Sequence, residues 1–403
     1  MAIKLPIISK CKQCLCYKLS TIEFMTRQKN VILLPNNYRK MKQFCCLFLF
    51  LFLGCNTSKK KGIDATIGKS RYSQWLSYTK TELGIKLFIK DPDRKAATRI
   101  ILCTTHPEQV KSMSTTTEVL DINNMKLATN AATHVGMLVA LNARECIGAV
   151  SLGKYLHDPT LKKGFNKGQL LELGGTSIPF ESLSKKHINV WVSAGMEPLD
   201  QANEERFKAL DVQWIPNYDW REEHPLGKAE WLLFFGAITN RFDEAELQFK
   251  AICKRYNKFN KLPKGNSCQK ILVGNFAGDY WYSPLQNSFQ ARFFNQVDFC
   301  TFSMNYRGTG SMAVGAERIY QEAEACELWL NPGFPTKKAI LNAFPKAIQL
   351  RPFTKGLIFC YSHDLNKFWE QSALMPDIVL RDLIRIKQGN SADAMLYFYR
   401  EVK

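Results

Sequence analysis

Residues 41–55 read Met-Lys-Gln-Phe-Cys-Cys-Leu-Phe-Leu-Phe-Leu-Phe-Leu-Gly-Cys, one Lys and then an apolar run that closes on Gly54-Cys55. A run this greasy has to be buried in something, yet it is too short to cross a bilayer as a stable helix, which takes about 20 residues. A positive charge followed by a short apolar stretch is instead the layout of a secretory signal. The next residues, Asn56-Thr-Ser-Lys-Lys-Lys61, are polar and charged. A tether leaving a membrane surface is solvated in this way, whereas a core segment would continue into packing residues.

Gly54-Cys55 resembles the bacterial lipobox, with Phe52 standing where an aliphatic residue is usual three positions before the Cys. The resemblance implies that Cys55 is lipidated and becomes the first mature residue. Residues 1–54 are then an upstream extension and signal peptide, with Met41 the expected start, and residues 55–75 are the lipidated Cys and its tether. Cys11, Cys14 and Cys16 have metal-ligand spacing, but no second cluster follows at zinc-ribbon distance. No metal site is expected.

Charge is read differently once the leader is set aside. The chain carries +19, of which residues 1–54 contribute +8 through nine Lys or Arg against Glu23, leaving +11. The remaining Lys and Arg are dispersed and no RNA- or DNA-binding motif accompanies them, so no nucleic-acid partner is expected. A basic surface beside anionic lipid or an anionic ligand is the milder reading. Beyond Cys55 there are seven cysteines, Cys103, Cys146, Cys253, Cys268, Cys300, Cys326 and Cys360, an odd number without close pairs. That pattern fits mostly buried thiols with one or two bridges that spacing alone does not assign.

The apolar patterning alternates between strand and helix periods. Tyr78–Lys90 and Thr98–Cys103 predict two strands. Thr133–Asn142 predicts a helix leading to a strand at Ile147–Val150, and the alternation repeats through Phe180–Ser184, Ile188–Ser193 and Val212–Pro216. Pro225–Asn240 and Asp243–Lys258 carry apolar residues every three to four positions behind an N-terminal Pro, which predicts one long helical region. A second strand series follows at Lys270–Asn275, Cys326–Leu330 and Gly356–Cys360, with a helix at Asp377–Lys387. The expected architecture is α/β: two lobes with central, mainly parallel sheets (76–222 and 263–403) joined by one long connecting helix (223–262).

Thr133-His-Val-Gly-Met-Leu, Glu145-Cys-Ile-Gly-Ala-Val, Pro225-Leu-Gly-Lys-Ala-Glu-Trp, Glu327-Leu-Trp-Leu-Asn-Pro, Phe368-Trp-Glu-Gln-Ser and Met375-Pro-Asp-Ile-Val-Leu-Arg-Asp-Leu-Ile together carry a resemblance. From about Arg99 to Lys403 the chain is similar to substrate-binding proteins of ABC importers for iron–siderophore complexes, haem and cobalamin, the class III periplasmic binding proteins. The resemblance implies a two-lobed fold with a ligand cleft, a permease and its ATPase as partners, and lipid anchoring on the periplasmic side of the bacterial cytoplasmic membrane. It also implies one docking glutamate on each lobe, for which Glu181 and Glu317 match. Two carboxylates held apart on rigid lobes can read position through charge-assisted hydrogen bonds to permease arginines.

A bulky metal chelate is best held by flat apolar walls with few polar anchors. Aromatic residues beside irregular chain nominate Tyr155, Trp220, Trp281 and Tyr282 as stacking groups, with Arg221 as the anion partner; Arg307 and Trp369 are secondary. No cofactor and no catalytic residue is expected, the ligand being an iron or cobalt complex: a ferric siderophore, with haem or cobalamin as alternatives. Among six histidines none forms a His-Glu-x-x-His pair or neighbours a Gly-x-Ser-x-Gly elbow. A tetrapyrrole chelatase-like enzyme is the alternative of a different class, with His224 or His363 as metal ligand or base. A lipid-anchored scavenger without a transporter is a third.

Overall fold

Glu82 and Leu83 reverse the chain inside the stretch that alternation reads as one strand. Gly84, at φ +137°, opens the return, so Tyr78–Lys90 is a hairpin of β1 (Leu76–Thr81) and β2 (Gly84–Lys90) with Thr81 opposite Gly84. A period of two is blind to direction, which is why the turn does not show in the pattern. The structure, a computed structural model, describes residues 70–403 apart from 95–96, 111–115, 175–177, 197, 260–264, 266, 362–364 and 390–394. Cys55 and His363 lie outside the described residues.

The hairpin continues into β3 (Thr98–Thr104) and β4 (Glu118–Asp121), giving a four-stranded sheet in the order β1-β2-β3-β4. The first lobe then alternates strictly: β5 (Leu127–Thr129), α1 (Ala132–Ala140), β6 (Ile147–Val150), α2 (Pro159–Asn166), β7 (Leu171–Glu172), α3 (Phe180–Lys185), β8 (Val190–Ser193), α4 (Gln201–Ala209), β9 (Gln213–Pro216). These strands form an all-parallel sheet, β7-β6-β5-β8-β9. Central strands β5, β6 and β8 are buried throughout, as expected when helices cover both faces. Local chemistry sets the helix starts: Asp158 accepts from the Thr160 and Leu161 amides ahead of Pro159, and Asp200 accepts from Asn203.

The segment expected as one long helix is three: α5 (Pro225–Glu230), α6 (Leu232–Ile238) and α7 (Phe242–Tyr256). Trp231 interrupts the first two, and Asn240 at φ +55° turns the chain so that α6 packs back on α7. Every residue of α5 and α6 is buried, so neither could lie as an exposed bridge. Only α7, amphipathic over 15 residues, has the character of a connecting helix. Periodicity survives such a break, because adjacent helices share the same period.

The second lobe comprises β10 (Gln269–Val273), β11 (Asn275–Ala277), β12 (Tyr280–Pro284), α8 (Phe289–Gln296), β13 (Phe299–Cys300), β14 (Ser311–Gly315), α9 (Ala316–Ala323), β15 (Leu328–Leu330), α10 (Lys337–Ala343), α11 (Arg351–Thr354), β16 (Leu357–Cys360), α12 (Leu365–Gln371), α13 (Pro376–Lys387) and β17 (Arg400–Glu401). Its main sheet runs β13-β10-β15-β16-β17, parallel except for β17, and β11-β12-β14 form a small antiparallel sheet beside it. Cys268 and Cys300 are disulfide-bonded across the β10–β13 pairing, while Cys103, Cys146, Cys253, Cys326 and Cys360 are buried free thiols. Among the described residues no helix is long and apolar enough to cross a membrane.

One expected boundary moves. Residues 71–74, assigned above to the tether, are built into the first lobe. Glu230 accepts the amides of Arg71, Tyr72 and Ser73 at 2.7–2.8 Å, and Glu222 accepts from the Gln74 amide at 3.0 Å and from the Ser73 hydroxyl. Two buried carboxylates facing a row of backbone donors is a contact that no local pattern around Arg71 announces.

Candidate ligand-binding site

In an open parallel sheet, room for a ligand opens outside the carboxyl ends of the strands, at the point where strand order reverses. In the first lobe that point lies between β5 and β8. The loops leaving these strands are tied together, the Asn130 side-chain oxygen accepting the Ala194 amide at 2.7 Å. Trp220, on a single 3-10 turn (Asp219–Arg221) after β9, donates its indole N–H to the Ala194 carbonyl at 2.6 Å. Trp220 therefore stands at the reversal point, with Met196 exposed on the same loop as Ala194. Tyr155 ends a similar turn after β6 (Gly153–Tyr155) and is 49% exposed, with the Lys154 ammonium 4.8 Å from its ring centre and Leu152 exposed beside it.

Arg221 is placed differently from expectation. Its guanidinium lies 5.1 Å from the Trp220 ring centre and pairs with Asp93 at 2.8 Å. The cation nominated to meet an anionic ligand thus already has a carboxylate partner.

In the second lobe the order reverses between β10 and β15. Gly274 donates its amide to Leu330 at 3.1 Å, and the Trp329 indole donates back to Gly274 at 2.8 Å. Tyr282 is opposite Asn275, the residue that leaves this point, and is partly exposed. Trp281, its neighbour on β12, points to the other face and is corrected from wall to core. It is fully buried between Phe276 and Trp329, ring centres 5.2 and 5.5 Å away, with its indole N–H on the Val273 carbonyl at 2.7 Å. Strand alternation makes the pair choose opposite faces, and the sequence does not say which faces the core. Trp369 packs edge-on against Phe368 and Tyr361, while Arg307 is exposed.

The two sheets present these ends to each other. The loop after β6 reaches α12, the His157 amide donating to Glu370 at 2.7 Å, and the loop after β9 reaches α8, with Glu223 and Arg292 3.9 Å apart. Tyr361, after β16, accepts from Asn331 at 3.0 Å and from Gln290 of α8 at 2.8 Å. Tyr155, Trp220 and Arg221 thus lie on turns after first-lobe strands and Tyr282 lies opposite Asn275 just past β10, whereas Trp281 is core.

Beneath this surface is a buried polar layer that sequence reasoning passed over. His134 and Thr129 are bonded at 2.6 Å, and Lys228 lies 3.9 Å from Asp219. Burial lowers His134 to about 4, so it is neutral near pH 7, and burial raises the Glu222 carboxyl despite its hydrogen bonds. The motif Pro225-Leu-Gly-Lys-Ala-Glu-Trp contained the signal: Lys228, Glu230 and Trp231 are its buried polar and anchoring residues.

His224, the candidate base of the chelatase alternative, is a helix cap. Its Nδ1 accepts from the Leu226 amide at 3.0 Å, its ring stacks on Tyr72, and burial, reinforced by Arg292, lowers it to about 4. Glu181 and Glu317 lie exposed in the first turns of α3 and α9, one on each lobe, where the helix dipole favours a carboxylate. Glu181 pairs with Lys185 at 2.7 Å.

No protein-family model matches the chain. It is 24% identical over 300 residues to an uncharacterized lipoprotein of Methanocaldococcus jannaschii, the match covering 67% of this chain. The chain spans 66% of that lipoprotein's length, just under two thirds. Among solved structures it resembles a periplasmic haem-binding protein of Pseudomonas aeruginosa, with TM-score 0.50 and 12% identity over 69% of this chain and 98% of that one. A periplasmic haem-binding protein of Vibrio cholerae gives TM-score 0.48 and 14% identity over 64% and 99%. The likeness is one of fold: the chain has the two-lobed α/β fold of class III periplasmic binding proteins, and these neighbours are binding proteins rather than enzymes.

Proposed function

We propose that this chain is a lipid-anchored receptor on the outer side of the cytoplasmic membrane, capturing a metal chelate between its lobes and delivering it to an ABC permease driven by a separate ATPase. The observation that carries the proposal is the placement of Tyr155 and Trp220 on turns after the carboxyl ends of β6 and β9, with Tyr282 on β12 opposite Asn275, which follows the carboxyl end of β10. Such ends are where doubly wound folds leave room for a ligand. Flat side chains there suit a large caged or planar complex. Glu181 and Glu317, exposed on separate lobes, are proposed to dock the permease. Lipidation of Cys55 is proposed to hold the receptor beside it.

Within this reading a ferric siderophore is the first candidate. A second, haem or a corrinoid, is favoured by one observation: Arg221 is already paired with Asp93 at 2.8 Å, while Leu152, Tyr155 and Met196 leave an apolar rim. Titrating the full chain with a ferric hydroxamate, haem and cyanocobalamin, while following tryptophan fluorescence, tests the proposal. Saturable quenching by one of them, reduced in Trp220→Phe, is expected. Equal, non-saturable quenching by all three overturns it.

A further inference from the structure

Glu370 joins the two lobes through none of the residues nominated for ligand binding. It lies on α12 of the second lobe, is 3% exposed, and accepts the amides of His157, at 2.7 Å, and Asp158 at the start of α2 in the first lobe. The approach of the lobes here is close. A side chain on Gly136 of α1 would put its Cβ 1.6 Å from the Glu370 carbonyl oxygen, so only glycine lets α1 and α12 meet. A cavity of about 460 Å³ opens beside the carboxyl, lined by Gly136, Val139 and Ala140 of α1, His157, and Ile252 and Arg255 of α7.

The charged groups around it are already matched. Asp158 pairs with Arg144 at 2.9 Å; burial opposes its ionisation, but the Arg144 and amide hydrogen bonds outweigh burial and hold the carboxyl below its usual range. Arg255 pairs with Asp377 of α13 at 3.2 Å, and the α1 residues that line the cavity, Gly136, Val139 and Ala140, carry no charge. His157 is the remaining titratable neighbour. Glu370 thus accepts two amide donors. Burial outweighs the amides and raises its carboxyl to about 7, and of its charged neighbours His157 lowers it while Asp158 raises it.

We propose that Glu370 fastens the lobes in a proton-dependent way: protonated, it remains enclosed and the seam stays shut; ionised, it favours admission of water and separation of the lobes. The sign follows from linkage. A carboxyl that is harder to ionise when enclosed takes up a proton as the seam closes, so closure is favoured as pH falls and opposed as it rises through neutrality. The inference holds whatever the cleft binds.

Hydrogen–deuterium exchange of the full chain in detergent tests it, reading the amides of residues 157–161 at pH 6 and pH 8.5 after correction for intrinsic exchange. Protection should fall by about tenfold across that range, the change one coupled proton gives per pH unit. Glu370→Gln, which keeps the acceptor and cannot ionise, should show no such fall. A flat profile in the unsubstituted chain, or an undiminished fall in Glu370→Gln, overturns the proposal. If Glu370→Gln does not fold, His157→Gln decides: persistence of the fall supports Glu370, and its disappearance assigns the proton to the imidazole.

Discussion

Trp220 donates its indole N–H to the Ala194 carbonyl at 2.6 Å, which ties the loop after β9 to the loop after β8 and leaves the indole part-buried at the reversal point of the first sheet. Trp281, by contrast, spends its indole N–H inside the second lobe on Val273. Two tryptophans that look alike in sequence are thereby separated into a part-buried residue at the reversal point and a core residue.

Replacing them should give opposite results. Trp220→Phe loses one hydrogen bond, lowering stability by about 1 kcal/mol, and should reduce ligand-induced quenching. Trp281→Ala empties a fully buried site and should lower stability by about 3–5 kcal/mol. Denaturant unfolding beside the fluorescence titration measures both.

Glu230 holds three consecutive amides of the entering chain. Glu230→Ala leaves those donors without a protein partner, at a cost of about 3 kcal/mol after partial rehydration. Cleavage near Arg71 by trypsin should accelerate in the variant while the remaining body stays resistant. Unchanged cleavage would mean that residues 71–73 are held by other contacts.

Acid should act through His134. Its folded value near 4 lies below the ordinary value of about 6.5, so the unfolded chain takes up a proton that the folded chain refuses. That contribution to stability is complete above pH 6.5 and is lost as pH falls towards 4. His134→Gln should flatten the loss in denaturant midpoints over this window. Glu370 works in the opposite sense, gaining stability as pH falls through about 7, so the two substitutions should tilt the profile in opposite directions.

Reduction of Cys268–Cys300 frees a sequence separation of 32 residues, and loop-closure entropy places the loss at about 3–4 kcal/mol. Dithiothreitol should lower the melting temperature of the unsubstituted chain and leave Cys268→Ser/Cys300→Ser unaffected. The five buried thiols should react with an aromatic disulfide reagent only after unfolding, since burial both shields them and raises the pKa of each.

Charge reversal at the carboxylates proposed to dock the permease, Glu181→Lys with Glu317→Lys, should leave fluorescence-detected ligand affinity unchanged and abolish uptake in cells. Both side chains are exposed, so little change in stability accompanies the loss. Uptake that persists in the double variant rules out docking through these two residues.

How much of this was legible beforehand depended on range. Alternation located β6, β8, β9, β15 and β16 because each is a short apolar run bounded by polar residues. The turn at Glu82-Leu83 and the break at Asn240 escaped because direction changes leave hydrophobic period intact. Among the nominated residues, Tyr155 and Trp220 lie on turns that follow β6 and β9, where aromatics beside irregular chain are found, while Tyr282 lies within β12 and Arg221 is already paired with Asp93.

The sequence by itself determined that the body is α/β with two strand series around a helical middle, since periodicity is a local property that each segment carries alone. The expectation that Gly54-Cys55 borders a leader rests on a resemblance and lies outside the described residues. Tertiary structure alone decided that Trp281 is core and Trp220 is not, that Cys268 joins Cys300, that Glu230 and Glu222 grip residues 71–74, and that Glu370 crosses between lobes. The physical reason is common to all four. Which face of a strand is covered, and which donor meets a buried carboxylate, are set by residues roughly 30 to 210 positions away, and burial, which decides the energetics of both, exists only once those residues have met.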